Sequence, residues 1–306
     1  MLKITGTFLD EISWDIPHHN WGVREWDRDF QSMKAIGIDT VIMIRCGLRQ
    51  YLAYPSAVLM EKERCLAPYS DLPDMFLTLA EKYGMDFYFG TYDSARPVEQ
   101  VDFQYELDLN KRVIEEAWRR YGQRKAFRGW YLSTEISHRS GNVAETYAAL
   151  GRFCKDISGD LPVLISPFIQ GFKAYADQGI KAESIPLARH EREWDEIFSC
   201  IRGSVDHIAF QDGHVDIREL KDYLEINMAL ARKHRLDCWT NCETFDRDMP
   251  WRFPPIEWTK MRYKLDAAQK YVKKIITFEA PHFLSHNSCY PAAGHLLDSY
   301  LEYLNQ

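Results

Sequence analysis

No stretch of this 306-residue chain approaches the roughly 18 to 20 uninterrupted apolar residues that a membrane helix requires. The opening MLKITGTFLDE has neither the apolar h-region nor the small-residue cleavage site of a secretory signal, so a cytoplasmic location is expected. A basic footprint is missing as well. Lys and Arg number 38 against 45 Asp and Glu, a net charge of -7, which argues against nucleic acid as a partner. Neither G-x-G-x-x-G nor G-x-x-x-x-G-K-[ST] occurs, so nucleotide binding through such loops has no support. H-x-H and H-E-x-x-H are also absent. The seven cysteines (Cys46, Cys65, Cys154, Cys200, Cys238, Cys242 and Cys289) are odd in number and scattered, which fits reduced thiols better than a disulfide framework. No Ser/Gly-rich tract marks a linker, and no cofactor is expected.

What is present is aromatic and regularly patterned. An aromatic content of 14% excludes intrinsic disorder. Short β-branched and aromatic runs recur at 4–10, 40–46, 86–92, 129–135, 162–168, 207–212, 237–243 and 274–279, with starts about 39 residues apart. Helical periodicity stands out between them at 25–36, 72–83, 108–121 and 216–234. Gly84 reads as the stop of the second. Eight strand–helix units in this length predict an α/β fold, a (β/α)8 TIM barrel occupying 1–306 as one domain. An open doubly wound sheet is the alternative, but it usually carries a Gly-rich first turn, and the first strand here is followed by Asp10-Glu11-Ile12-Ser13-Trp14. The two long connections, 47–71 and 170–191, follow predicted strands and belong on the C-terminal face of a barrel.

Polar groups cluster where the predicted strands end: Asp10-Glu11, Arg45, Tyr92-Asp93, Glu135, Ser166, Gln211-Asp212, Glu243 and Glu279. Residues at that face of a barrel read as catalytic, although any one of them could instead cap a helix or bond a loop amide. Strand alternation sharpens the reading. Gly129, Tyr131, Ser133 and Glu135 share one face of the fourth strand, and Asp237, Trp239, Asn241 and Glu243 share one face of the seventh. Each glutamate is thus expected to point inward. Cys238 and Cys242 fall on the opposite face, where packing against a helix is expected rather than zinc binding.

Two glutamates after strands four and seven of such a barrel resemble the acid/base and nucleophile of the large retaining glycoside hydrolase clan. The segment ITGTFLDE-I-x-x-D-I-P-x-x-N-W, with KAIGIDTVI, also resembles an uncharacterised bacterial family of glycoside-hydrolase-like barrels. The resemblance to the clan implies Glu135 as acid/base and Glu243 as nucleophile. Two positions depart from the clan's pattern: Thr134 stands where Asn usually precedes the first glutamate, and Phe278 where Trp is frequent late in strand eight.

Glycosidic cleavage needs one protonated and one ionised carboxyl, about 5–5.5 Å apart for retention and roughly 6.5–9.5 Å for inversion. Sugar hydroxyls need polar partners, for which Asp10, Asp93, Gln211, Asp212 and Glu279 are candidates. Arg45, or Arg49 nearby, could meet an anionic sugar. Sugar C–H faces pack on rings, and Trp14, Trp21, His138 and Trp251 are candidate walls. Trp26 and Trp258 read as helix-core residues. Two other readings stand beside this one. A metal-dependent isomerase or hydrolase could draw ligands from Asp212, His214, Glu243, Glu279, His282 and His286. A non-catalytic carbohydrate-binding barrel would use the same aromatics. The expected partner is a carbohydrate, with no nucleic acid and no membrane.

Overall fold

The computed structural model describes residues 2–96, 102–177, 180–248 and 253–305. Eight parallel strands close into a barrel: β1 (Ile4–Leu9), β2 (Thr40–Met43), β3 (Asp86–Gly90), β4 (Phe127–Leu132), β5 (Val163–Ile165), β6 (His207–Gln211), β7 (Asp237–Asn241) and β8 (Lys274–Thr277). Each pairs with its sequence neighbours, and β1 closes the ring against β8. The expected (β/α)8 architecture is therefore observed. One inward side chain per strand fills the interior: Phe8, Ile42, Tyr88, Tyr131, Leu164, Ala209, Trp239 and Ile276. Gly129 makes room for Tyr88, since a Cβ there would lie 2.3 Å from the tyrosine ring.

The other strand faces pack outward. Val41, Phe87, Trp130, Ile165, Ile208 and Ile275 join a second core with the helices. Trp26, Phe30 and Met33 belong to α1 (Val23–Ala35), and Phe76, Leu79 and Ala80 to α2 (Leu72–Tyr83). Cys238 and Cys242 are buried in this layer, as their position opposite Glu243 requires. All seven cysteines are free. The remaining principal helices are α3 (Phe103–Tyr121), α4 (Val143–Ser158), α5 (Leu187–Ile201), α6 (Leu220–His234), α7 (Trp258–Ala268) and α8 (Pro291–Leu304). Among the described residues no helix is long and apolar enough to cross a membrane.

Helix boundaries follow local chemistry. Asp71 caps α2 by accepting the Asp74 N–H, and Gly84 ends it in the left-handed conformation (φ 61°). Helix α3 begins five residues before the periodic pattern at Asp108, because Asp102 accepts the Tyr105 N–H at 3.1 Å. Its first turn carries the polar Gln104 and Glu106, which dilute the apolar period. Helix α6 starts at Leu220 rather than Asp216, because Asp216 instead closes a turn by binding the backbone N–H and guanidinium of Arg218.

The strands themselves stop one to three residues short of the expected ends, so the polar groups lie just past the ladder and are free to turn toward the mouth. Two loops shape that mouth. After β2, Gly47–Leu48 pairs with Tyr51–Leu52 and, in parallel, with Tyr92–Asp93 after β3. This small sheet fixes the neighbourhood of Arg45 and Asp93. After β5 the chain makes a single 3-10 turn at Phe172–Tyr175.

Candidate active site

A cleft of about 100 Å³ opens at the C-terminal mouth of the barrel. Its lining includes Glu135 after β4 and Glu243 after β7, together with Asp10, Trp14, Arg45 and Gln211. Strand alternation continues past each ladder, so both glutamates point inward above Tyr131 and Trp239.

The two carboxylates have opposite surroundings. Glu135 keeps 32% of its side-chain surface open to the cleft but is enclosed by protein on its other sides. That loss of solvent pushes its pKa up to about 7, against the pull of Arg45 (Nη2 to Oε1, 3.4 Å) and with a further push from Asp93. The nearby Gln211 amide, which donates to the Ser166 carbonyl at 2.7 Å, also works against the rise. Glu243 is 2% exposed. Burial alone would raise its pKa, yet it lies below the ordinary glutamate value because Arg247, Lys264 and His214 outweigh desolvation. Arg247 donates from Nε to Oε2 at 3.1 Å and from Nη2 to Oε1 at 3.3 Å. Its Nη1 donates to Asp177 at 2.8 Å, so the guanidinium is braced from behind.

The backbone of Glu243 is held as firmly as its side chain. Its N–H donates to Asp212 Oδ1 at 3.1 Å, and its carbonyl accepts from Lys264 Nζ at 2.9 Å. Lys264 in turn pairs with Asp212 at 2.5 Å. Gly213 permits this packing: a Cβ there would sit 1.6 Å from Glu243 Oε2 and 2.7 Å from Arg247 Nε. Gly213→Ala is therefore expected to displace the carboxylate and to destabilise the fold by about 1–3 kcal/mol, the cost of overpacking a filled site. A melting curve checks this, and an unchanged melting temperature would contradict the close approach.

The other expected site residues divide into two groups. Asp10 lies at the cleft floor; its Oδ1 accepts the N–H groups of Ile12 (3.1 Å) and Ser13 (3.0 Å). Its buried Oδ2 has no partner among the described residues, and neither has Asn241 Oδ1, another cleft atom. Trp14 stands 62% exposed on the cleft wall. Arg45 bridges Glu135 and Asp93 (3.5 Å), and Asp93 also accepts the Ala95 N–H. These residues border a second, larger cavity of about 370 Å³, which Thr134 faces.

Four candidates are placed elsewhere. Trp21 packs on His19 and Trp26, with ring centroids 4.0 and 5.0 Å away, so its face is spent beside α1. His138 bonds Ser137, which bonds Gln170, outside the cleft lining. Asp212 is turned toward Lys264, outside the cleft lining, and accepts the Glu243 N–H. Glu279 is fully buried against His282, although its neighbour Phe278 does line the cleft. Trp251 lies outside the described residues. Trp26 is core, and Trp258 packs on Tyr303, as expected of helix residues.

The metal set suggested by the strand ends does not converge: His214 pairs with Asp177, His286 with Asp298 and Asp212 with Lys264. Among the described residues the cluster with ligand-like spacing is Glu11, His19 and His282. Sequence reasoning missed Arg247, Lys264 and Gly213, and it placed Asn241 on the inward face of the seventh strand without assigning it a role. Arg247 left a legible signal, a cation four residues after Glu243.

A comparison with curated proteins finds no match. Among solved structures, a protein from Bacteroides thetaiotaomicron described as a "putative alpha-L-fucosidase" is 53% identical, with a TM-score of 0.94 over 99% of this chain and 94% of that one. A GH2 beta-galacturonidase from Eisenbergiella tayi is 11% identical, with a TM-score of 0.62 over 98% of this chain and 51% of its own. An intracellular xylanase from Thermoanaerobacterium saccharolyticum is 10% identical, with a TM-score of 0.52 over 90% and 85%. The last two likenesses are likenesses of fold. Residues 4–290 match the family described as "Domain of unknown function (DUF4434)", and the chain belongs to that family.

Proposed function

We propose that this protein is a retaining glycosidase in which Glu135 is the acid/base and Glu243 the nucleophile. The observation that carries the reading is the split environment of two glutamates lining one cleft: burial pushes Glu135 up to about 7, while Arg247 holds Glu243 below the usual range. In the first step Glu243 attacks the anomeric carbon. The bond to the leaving oxygen breaks as Glu135 delivers its proton to that oxygen. In the second, Glu135 takes a proton from water, the water oxygen attacks the anomeric carbon, and Glu243 leaves as a carboxylate.

Among the described residues the cleft lining holds Arg45, paired with Glu135 and Asp93, and Arg247, paired with Glu243 and Asp177. Phe245, Phe253 and Phe278 form an apolar wall suited to a sugar's C–H face or a deoxy-sugar methyl. With the fucosidase description of the Bacteroides relative, this makes a fucoside the first substrate to try. The unpartnered Asp10 Oδ2 and Asn241 Oδ1 would accept hydroxyl protons.

The pH profile tests the pair. Above about pH 7 Glu135 loses the proton it must donate, and below the pKa of Glu243 the nucleophile is protonated. A plot of kcat/KM against pH is expected to be bell-shaped, with its alkaline limb near pH 7 and its acidic limb below the ordinary glutamate range. A profile flat through pH 7 would contradict the assignment of Glu135.

A further inference from the structure

Glu11 follows β1, His19 sits in the same loop, and His282 lies in the short helix Ala280–Phe283 after β8. Their side chains are 2%, 0% and 0% exposed. One ligand atom from each lies within 4.8 Å of the other two. None of the three lines the catalytic cleft.

Their hydrogen bonding is incomplete in a particular way. Both ring nitrogens of His19 are buried without a hydrogen-bond partner among the described residues, and so is Glu11 Oε1. His19 Nδ1 is 3.4 Å from that oxygen, but not in hydrogen-bond geometry. The His19 and His282 rings stand 3.6 Å apart, centroid to centroid. His282 has the converse problem. Its Nδ1 meets the Glu279 carboxylate, and its Nε2 lies 2.7 Å from the Pro17 carbonyl oxygen. Both neighbours are acceptors, and a neutral imidazole has only one N–H. If Nδ1–H is given to Glu279, the Nε2 lone pair faces the carbonyl.

A cation would partner one His19 ring nitrogen and Glu11 Oε1, and we infer that Glu11, His19 and His282 bind one first-row divalent cation, with Zn²⁺ the best fit. Two imidazole nitrogens and one carboxylate oxygen suit zinc better than Ca²⁺ or Mg²⁺, which take oxygen ligands. At bond lengths of about 2.0–2.2 Å, tetrahedral ligand atoms lie roughly 3.3 Å apart, and the Glu11–His19 contact of 3.4 Å already has that length. Glu279 behind His282 is the carboxylate that orients a metal-bound imidazole and fixes its tautomer. Glu11 and Glu279 together offset the double charge. The ion would tie the loop after β1 to the end of β8. That loop carries Ser13, Trp14 and Asp15 into the cleft, and Phe278 enters it beside Glu279. The site is therefore a clamp on the cleft walls, and it does not depend on the glycosidase reading.

The test is metal binding by the tag-free full chain after chelation and dialysis. Titration with Zn²⁺ and with Co²⁺ is expected to show one ion per chain, visible d–d bands for Co²⁺ that Zn²⁺ displaces, and a melting temperature raised by the metal. His19→Ala and Glu11→Gln are each expected to weaken binding at least about 100-fold, and Glu279→Gln roughly 10- to 100-fold. His19 and Glu11 are loop residues, so these variants remain informative if a change at the buried His282 prevents folding. Less than one Zn²⁺ per wild-type chain at saturating metal overturns the proposal. So does undiminished binding in His19→Ala and Glu11→Gln, which would place the ion on other groups such as the exposed Cys289.

Discussion

Glu243→Gln is expected to lower kcat by about four orders of magnitude, equivalent to about 5 kcal/mol of barrier, while leaving the circular dichroism spectrum unchanged. An amide cannot form the glycosyl ester, so the covalent route closes. The fold persists because the position is over-determined. The backbone remains bound to Asp212 and Lys264, the amide oxygen still accepts from Arg247, and Arg247 retains Asp177. The smaller Glu243→Ala change leaves space on the face from which the carboxylate attacked. Added azide is expected to enter there, restore turnover on an activated glycoside and give a glycosyl azide of inverted configuration. An azide product of retained configuration would remove Glu243 from the nucleophile's role.

Glu135→Gln is expected to have a leaving-group-dependent effect. Natural glycosides, whose alcohols are poor leaving groups, lose about 100- to 10,000-fold in kcat/KM, the range general-acid catalysis supplies. A dinitrophenyl glycoside, which departs without a proton, keeps a near-normal first step. It then accumulates the glycosyl-enzyme, because no base activates water, and stopped-flow absorbance should show a burst of phenolate followed by a slow steady state. The alkaline limb of the pH profile should disappear with the carboxyl. A uniform loss across leaving groups would make Glu135 a residue that only positions substrate.

The barrel was legible because each strand is a short apolar run with inward and outward faces of different character. Trp130 and Tyr131 are neighbours in sequence, yet one packs under the helices and the other fills the barrel, as period-two alternation requires. The same alternation carried past the strand ends and placed Glu135 and Glu243 on inward faces. What it could not convey is which strand-end carboxylates turn back into the protein. Asp212 and Glu243 both follow strands closely, but a lysine on α7, 52 residues after Asp212 in the chain, turns Asp212 away from the cleft. Glu279 is likewise withdrawn by His282, three residues on, through the short helix Ala280–Phe283, which is too brief to show a period in the sequence. The loop tryptophans show the same limit: Trp14 reaches the cleft and Trp21 does not, because His19 and Trp26 offer Trp21 a place to pack. The small residue Gly213 gave no signal at all, since its role is the absence of a methyl group beside Glu243.

The central claim is that Glu243 becomes covalently bonded to the sugar, and mapping the esterified residue tests it most directly. A 2-deoxy-2-fluoro glycoside of a sugar the enzyme turns over slows the second step and traps the adduct, which peptide mass spectrometry then locates. The label is expected on Glu243, at one per chain. A label on Glu135, Asp10 or any other carboxylate, or full turnover of the natural glycoside with inverted product and no adduct, would contradict the account.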